Sequence, residues 1–231
     1  MAIDDDSASR MASLSSALVP VFRGKFCDIL LAARPTQTFD ERQVIYELGD
    51  RDRLLFFIQR GVVKTGTVTD GGREIIYDLR KDGDVAGELC CLDSPRWDRA
   101  VAVERTEAIA VSYDEAMESL AKHPAVLRDF VDVFCRALSE AYDQVNRLAA
   151  GNVEWGLVEV LKKLAHKLGR PAGELVEIPI YLTQEELSQM VVARRERVST
   201  ALNILRRSGV AQYSSRGHLL LNMHALEAYR A

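Results

Sequence analysis

The period of the apolar positions changes along these 231 residues, and each change marks a different kind of element. Between Thr38 and Val111 the period is short and interrupted. β-rich runs at Val44–Tyr46, Leu54–Ile58, Val62–Thr69, Glu74–Leu79, Ala100–Glu104 and Ala108–Ser112 are separated by turn signals at Gly49-Asp50, Gly61, Asp70-Gly71-Gly72 and Asp82-Gly83-Asp84. Short strands at such spacing predict a compact β-barrel or sandwich. A short helix is expected over Asp114–Leu120. From Pro124 the period lengthens: Leu127, Val131, Phe134, Leu138, Ala141, Val145 and Leu148 follow in alternating steps of four and three. That is a heptad seam, flanked by the charged residues Arg128, Asp132, Arg136, Glu140, Asp143 and Arg147, and it predicts a long helix that pairs with a second copy. The alternative is one buried stripe packed on the β-domain. Ser13 to Leu31 has helical spacing interrupted by Pro20. Gly151 to Leu168 carries Trp155, Val158, Leu161 and Leu164 at helical spacing, and Gly169 to Gly173 reads as a loop.

The last change of period lies at Leu182 to Val210. Thr183 with Glu186 three residues later forms a capping-box pattern. Leu187, Met190 and Val191 then share one apolar face. After a break near Val192-Ala193, a second helix buries Val198, Leu202 and Leu205 and shows Arg195, Glu196, Ser199, Thr200 and Arg206 on its other side, with Gly209 where a helix ends. Two short helices with such a break predict a helix-turn-helix, whose second helix lies in the DNA major groove. The exposed residues suit base edges: Arg pairs with guanine, Glu accepts from cytosine, and Ser serves either kind of base. Val210–Tyr213 and His218–Leu221 flank Ser214-Ser215-Arg216-Gly217 as a hairpin, the wing of a winged helix. The bland alternative is a solvated charged helix in an ordinary helical domain.

Charge supports the DNA reading. The net charge of −4 is unevenly spread. Residues 1–150 carry 19 basic and 26 acidic side chains, residues 151–231 carry 11 and 8. The basic surplus accompanies the helix-turn-helix, as phosphate contact requires. It is small, so DNA binding is expected to depend on dimerisation. No run of about 18 apolar residues marks a membrane span. The first residues have three acids and no apolar core, so no signal peptide is read and a cytoplasmic location is expected. Cys27, Cys90, Cys91 and Cys135 lack metal-binding spacing. Neither paired carboxylates nor a Ser-His-Asp set points to an enzyme. Val192 stands where the turn of a helix-turn-helix usually has Gly. A β-branched residue disfavours positive φ, so a negative φ with a locally shifted turn is expected there.

The run from Glu47 to Leu89, with Gly49, Gly61, Gly72, Gly83, Asp84, Gly87, Glu88 and Leu89 at its turns, resembles the cyclic-nucleotide-binding domain of the CRP/FNR transcription regulators. The helix-turn-helix resembles the same family's winged helix, so the likeness spans about residues 20–230 in one order. It implies an α+β chain: an N-terminal tail over 1–19, a sensor β-barrel of cyclic-nucleotide-binding jelly-roll type over 20–123, a dimerisation helix over 124–150 and a winged helix over 151–231. It also implies a homodimer on a palindromic duplex, with RNA polymerase as the further partner. Thr183, Arg194 and Arg206 join Arg195, Glu196, Ser199 and Thr200 as expected DNA contacts.

The resemblance places an effector pocket around Gly87, Glu88, Leu89, Cys90, Arg96, Arg99, Ala100 and Tyr142. The family's cyclic-AMP binders follow the Gly-Glu-Leu turn with an Arg-Ser phosphate clamp, and here the matching positions are Asp98 and Arg99. Its Thr-Ser pair at the nucleobase matches Ala141-Tyr142. An Asp in place of the Arg repels phosphate. The expectation is an effector other than cyclic AMP, or no ligand at all; a small anion held by Glu88 with Arg96 or Arg99 is one candidate. Cys90 and Cys91 read as buried hydrophobes, with redox reactivity as the alternative, and no iron–sulfur cluster is expected. A regulatory module acting through protein contacts is the second functional reading.

Overall fold

The computed structural model describes residues 30–31, 34–91 and 94–229. The expected N-terminal tail lies outside them, as does the helix over Ser13–Leu31 apart from its last two residues. Two compact units emerge, one of Met1–Thr67 with Leu79–Arg136, the other of Val68–Asp78 with Ala137–Ala231.

The first unit carries the sensor strands, except that Val68–Asp78, the tip between the fourth and fifth of them, belongs to the second unit. The strands are β1 (Gln37–Phe39), β2 (Val44–Tyr46), β3 (Leu54–Arg60), β4 (Val62–Val68), β5 (Glu74–Lys81), β6 (Val85–Ala86), β7 (Arg99–Ala102) and β8 (Thr106–Ser112), with a 3-10 turn at Glu88–Cys91. They form two four-stranded sheets, ordered β1-β8-β3-β6 and β2-β7-β4-β5. This is the jelly roll expected, built from two sheets that do not close into one barrel. β1 and β6 were not expected, because strands of three and two residues leave no readable alternation. The organising strand is β3, paired antiparallel to β8 from Leu54↔Ser112 to Ile58↔Ala108. Successive side chains of a strand point to opposite faces. Leu55 and Phe57 therefore join one core with Val85, Cys90, Leu120 and Phe130. Phe56 and Ile58 join another with Tyr46, Val63 and Ala100. Burial on both faces explains why this segment reads as an unbroken apolar run. Gly61 follows β3 with φ +96, and a Cβ there would stand 2.6 Å from Thr106 Oγ1 and 2.8 Å from the Arg105 carbonyl oxygen. Only glycine fits so close an approach.

Helix α1 (Tyr113–Ala121) is capped by the Ser112 side chain, which accepts from the Glu115 amide. Helix α2 (Pro124–Ala150) matches the expected long helix. Its heptad positions divide. Leu127 and Phe134 are half-buried against the first core, beside the buried Phe130. Val131, Leu138 and Val145 are 49%, 53% and 60% exposed. The stripe therefore packs on the β-domain at its first positions and is exposed at Val131, Leu138 and Val145.

The second unit holds the reader. Helix α3 (Val153–Leu168) starts at Asn152, whose side chain accepts from the Glu154 and Trp155 amides. The loop expected over Gly169 to Gly173 instead contains β9 (Arg170–Ala172), which turns at Gly173 and pairs with β10 (Leu175–Ile178). The extended form of this hairpin is fixed by long-range pairing of β10 with β12 (Leu219–Leu221), which no local pattern reports. The wing hairpin of β11 (Ala211–Tyr213) and β12 completes a sheet ordered β11-β12-β10-β9. A closing helix, α6 (Met223–Ala228), follows.

Helices α4 (Gln184–Val191) and α5 (Arg195–Arg207) are the two halves of the helix-turn-helix. The capping box is complete: Thr183 Oγ1 accepts from the Glu186 amide at 3.0 Å, and Glu186 Oε2 accepts from the Thr183 amide at 3.0 Å. The turn corrects the expectation for Val192. Its φ is +56 and ψ +40, in the left-handed region. The Ser188 carbonyl accepts from both the Val192 and Ala193 amides, the ending that a left-handed residue provides. Tertiary contact holds it there. Val191 Cγ1 lies 3.3 Å from where a Cβ on Gly156 would stand, so α3 and the turn approach closely at a glycine. Packing thus overrides the local preference of a β-branched residue. Val192→Gly should relieve this strain and raise stability by about 1 kcal/mol, the balance of roughly 1–3 kcal/mol of strain against added unfolded-state entropy. A urea midpoint below that of the parent protein would contradict it.

Candidate nucleic-acid interface and sensor pocket

Helix α5 presents its N-terminal turn to solvent. Arg194, Arg195, Glu196, Arg197 and Thr200 are exposed and Ser199 is half-buried, while Val198, Leu202 and Leu205 point into the core. The structure brings Arg195, Glu196 and Ser199 onto one face, since positions i, i+1 and i+4 neighbour each other on a helix. Arg194 is the N-cap residue, with no capping hydrogen bond from its side chain. Thr200 Oγ1 donates to the Glu196 carbonyl at 2.9 Å. Thr183 is occupied by its cap, its hydroxyl also donating to Glu186 Oε2 at 3.0 Å. Arg206 rests over the Tyr213 ring, 5.3 Å from its centroid, and its Nη1 donates to Asn203 Oδ1 at 3.4 Å.

Sequence reasoning missed what supports the wing. The Ser214 amide donates to the His218 carbonyl at 2.8 Å, and Gly217 turns the tip with φ +79. A Cβ on Gly217 would stand 3.2 Å from the exposed Tyr181 ring. His218 Nδ1 lies 2.9 Å from Glu177 Oε1. Burial pushes the Tyr213 phenol up, with Arg206 pulling it back. Tyr181 and Glu177 lie far from the wing in sequence, so no spacing revealed them.

The sensor site gathers around the 3-10 turn. Gly87 has φ +87, and a Cβ there would meet the Leu54 carbonyl at 2.8 Å and Arg96 Nη1 at 3.0 Å. Glu88 pairs with Arg80 at 2.5 Å, both side chains largely buried. Leu89 is half-buried, while Cys90 sits in the first core at 2% exposure. Cys90 is thereby a buried hydrophobe, as expected. Ala100 is fully buried in the second core. Tyr142 is 61% exposed on α2 and belongs to the other unit.

The two candidate replacement clamps are both engaged. Arg96 is a buried cation: Nε donates to Asp52 Oδ1 at 2.6 Å and Nη2 to the Leu54 carbonyl at 2.7 Å. Its guanidinium carbon lies 4.1 Å from the centroid of the Tyr46 ring. Burial opposes its charge, and the hydrogen bond and charge of Asp52 outweigh that, leaving its pKa raised. Arg99 Nη2 pairs with Glu47 at 3.1 Å. Asp98 is 4% exposed, and its Oδ2 accepts from the Tyr46 hydroxyl at 2.7 Å. Asp98 Oδ1 and Glu88 Oε2 are buried with no hydrogen-bond partner. Arg99 Nε is likewise a buried donor with no hydrogen-bond partner, while Arg96 is spent on the protein itself. Among the described residues no three His, Cys, Asp or Glu side chains cluster as metal ligands. Asp52 and Tyr46 were not anticipated, because neither belongs to a local motif.

Burial lifts the Asp98 carboxyl above its usual range, partly countered by the Tyr46 hydrogen bond. Burial also holds the Tyr46 phenol well up, with the Asp98 carboxylate adding to it. A raised folded-state pKa means that Asp98 favours folding while protonated and loses that contribution as pH climbs past its unfolded value. Asp98→Asn keeps an acceptor for Tyr46 and removes the buried charge. It should raise the melting temperature near neutral pH, with the gain shrinking towards about pH 4, where the unfolded carboxyl also protonates. Thermal scans at the two pH values check this, and a lower melting temperature at both would contradict it.

Two families' sequence models match the chain in order. The cyclic nucleotide-binding domain matches residues 36–123 and the Crp-like helix-turn-helix domain residues 157–229. A CRP-like cAMP-activated global transcriptional regulator of Mycobacterium tuberculosis is 28% identical over 165 residues, 71% of this chain and 74% of that protein. The cyclic AMP receptor protein of Thermus thermophilus is 27% identical over 197 residues, 84% and 88% of the two chains. In fold, FixK2 from Bradyrhizobium japonicum superposes with a TM-score of 0.72 at 19% identity, over 86% of this chain and all of that one. The c-di-GMP responsive regulator CLP of Xanthomonas campestris gives 0.71 at 19% identity, over 85% and 98%. These relatives are regulators and not enzymes. With a cyclic nucleotide-binding domain ahead of a Crp-like helix-turn-helix, the chain belongs to the CRP/FNR family of DNA-binding transcription regulators.

Proposed function

We propose that this protein is a homodimeric, effector-gated regulator that reads a palindromic duplex through α5, acts on transcription with RNA polymerase, and does not hold cyclic AMP in the manner of its cyclic-AMP-binding relatives. The observation that carries the last point is Asp98. It is a buried carboxylate with a free oxygen at the position of the phosphate clamp. A phosphate there would meet like charge in a desolvated site, and the nearest buried cation, Arg96, is already paired with Asp52. The relatives themselves carry names that point to different ligands, cAMP and c-di-GMP, so the fold does not fix the effector.

The exposed stripe of α2 supports self-association. Val131, Leu138, Tyr142 and Val145 stand on one helix face, each about half exposed or more. Leu138→Glu would set two like charges close to the two-fold axis, at a cost of several kcal/mol. Sedimentation should show a dimer for the parent protein and a monomer for the variant. An undiminished dimer would place the interface elsewhere.

Base reading is assigned to Arg195, Glu196 and Ser199, with Arg194 and Arg206 at phosphates. A dimer of winged helices predicts two half-sites about 10 bp apart. Selection from a random duplex pool should return such a palindrome with at least one G·C pair per half-site, and Arg195→Ala should cost about 1–3 kcal/mol there and relax that position. A selected motif without two-fold symmetry, or one indifferent to Arg195→Ala, would remove the assignment.

A further inference from the structure

The reader's unit includes a segment that DNA reading has not yet used: Val68–Asp78, the tip of the β4–β5 hairpin. This tip is locally closed. The Thr69 amide donates to the Arg73 carbonyl at 2.9 Å, the Gly72 amide to the Thr69 carbonyl at 2.8 Å, and Thr69 Oγ1 accepts from the Arg73 amide at 3.2 Å. Its base is tied to α3. Asp78, whose side chain is 9% exposed, pairs with Lys163 at 3.1 Å and Lys167 at 2.7 Å, and Lys163 also pairs with Glu140. From this closed tip the Arg73 side chain reaches the helix-turn-helix, where Nη2 donates to the Ala193 carbonyl at 2.9 Å.

That carbonyl belongs to the turn itself. Ala193 lies between the strained Val192 and Arg194, the N-cap of the reading helix. The turn is not closely packed on this side: Val192, Ala193 and Arg194 border a cavity of about 470 Å³, whose lining also includes Val153 and Val160 of α3 and the side chain of Arg73. A left-handed β-branched residue beside open space is held by whatever over-determines it. Arg73 supplies such a restraint from outside the helix-turn-helix, and it leaves Arg195 and Glu196 exposed.

We infer that Arg73 is a positioning residue for DNA reading: by its hydrogen bond to Ala193 it fixes the turn that aims Arg195 and Glu196, and the Asp78–Lys163–Lys167 cluster anchors the tip from which it reaches. The inference rests on the assignment of base reading to α5. Base-edge hydrogen bonds tolerate little displacement, so slack in the turn lowers discrimination between bases and not affinity alone.

The test uses the full chain with Arg73→Gln and Arg73→Lys. Amide exchange across Val192–Val198 in the free protein reads the restraint without DNA. Exchange should be faster for Arg73→Gln and move back towards the parent rate for Arg73→Lys, which keeps a charged donor. Fluorescence anisotropy on the duplex selected by the parent protein, and on a copy with the Arg195-read pair replaced, reads the function. Arg73→Gln should bind the selected duplex about fivefold more weakly, on the scale of one exposed charge-assisted hydrogen bond, and its preference over the altered copy should shrink. Arg73→Lys should recover part of both. Unchanged exchange overturns the inference. So does equal weakening on both duplexes with a salt slope shallower by about 1, which would make Arg73 a phosphate contact. If the parent protein selects no duplex, the base-reading assignment fails, and the exchange rates still decide whether Arg73 restrains the turn.

Discussion

The sensor depends on one buried cation. Arg96 has a side chain 1% exposed, and a charge so placed must be matched by its surroundings. Asp52 neutralises it, the Leu54 carbonyl takes another N–H, and the Tyr46 ring covers its face. These contacts fix several features together. They hold the start of β3 to the segment before β7, and they bring Gly87 so close that a Cβ there would stand 3.0 Å from Arg96 Nη1 and 2.8 Å from the Leu54 carbonyl oxygen, room that only glycine leaves. They also place Tyr46 where its hydroxyl meets Asp98. Asp98 is thus part of a buried network with Tyr46 and, through its ring, Arg96.

The reader meets a different constraint. Its turn must reverse the chain in very few residues, and the register is set by Val191 packing against Gly156. Given that register, position 192 has to be left-handed whatever residue occupies it. The strain stays local because Ser188 caps the end of α4 and Arg73 holds the far side of the turn.

Much of this was legible in the sequence where physics acts locally. The Thr183–Glu186 box, the heptad spacing of α2 and the apolar periods of α4 and α5 are short-range patterns, and each element formed where expected. The unbroken apolar run of β3 was legible too, because burial on both faces leaves its own mark. What was not legible came from partners far apart. The pairing of β10 with β12 fixes the hairpin whose first strand, β9, lies in a segment that reads as a loop, and β1 and β6 are too short to show alternation. Val192 was misread because propensity was weighed without the packing that overrides it. In the sensor, the anomaly at Asp98 was visible, whereas its partner Tyr46 and the commitment of Arg96 to Asp52 required three dimensions.

The chain keeps the family's cyclic nucleotide-binding domain, and the proposal that it lacks the phosphate clamp is decided by titration calorimetry of the protein with cyclic AMP. The buried Asp98 carboxylate and the occupied Arg96 predict no saturable heat at micromolar nucleotide. Stoichiometric binding with micromolar affinity, abolished by Glu88→Ala, would contradict the account and show that the loop before β7 rearranges to free a clamping arginine.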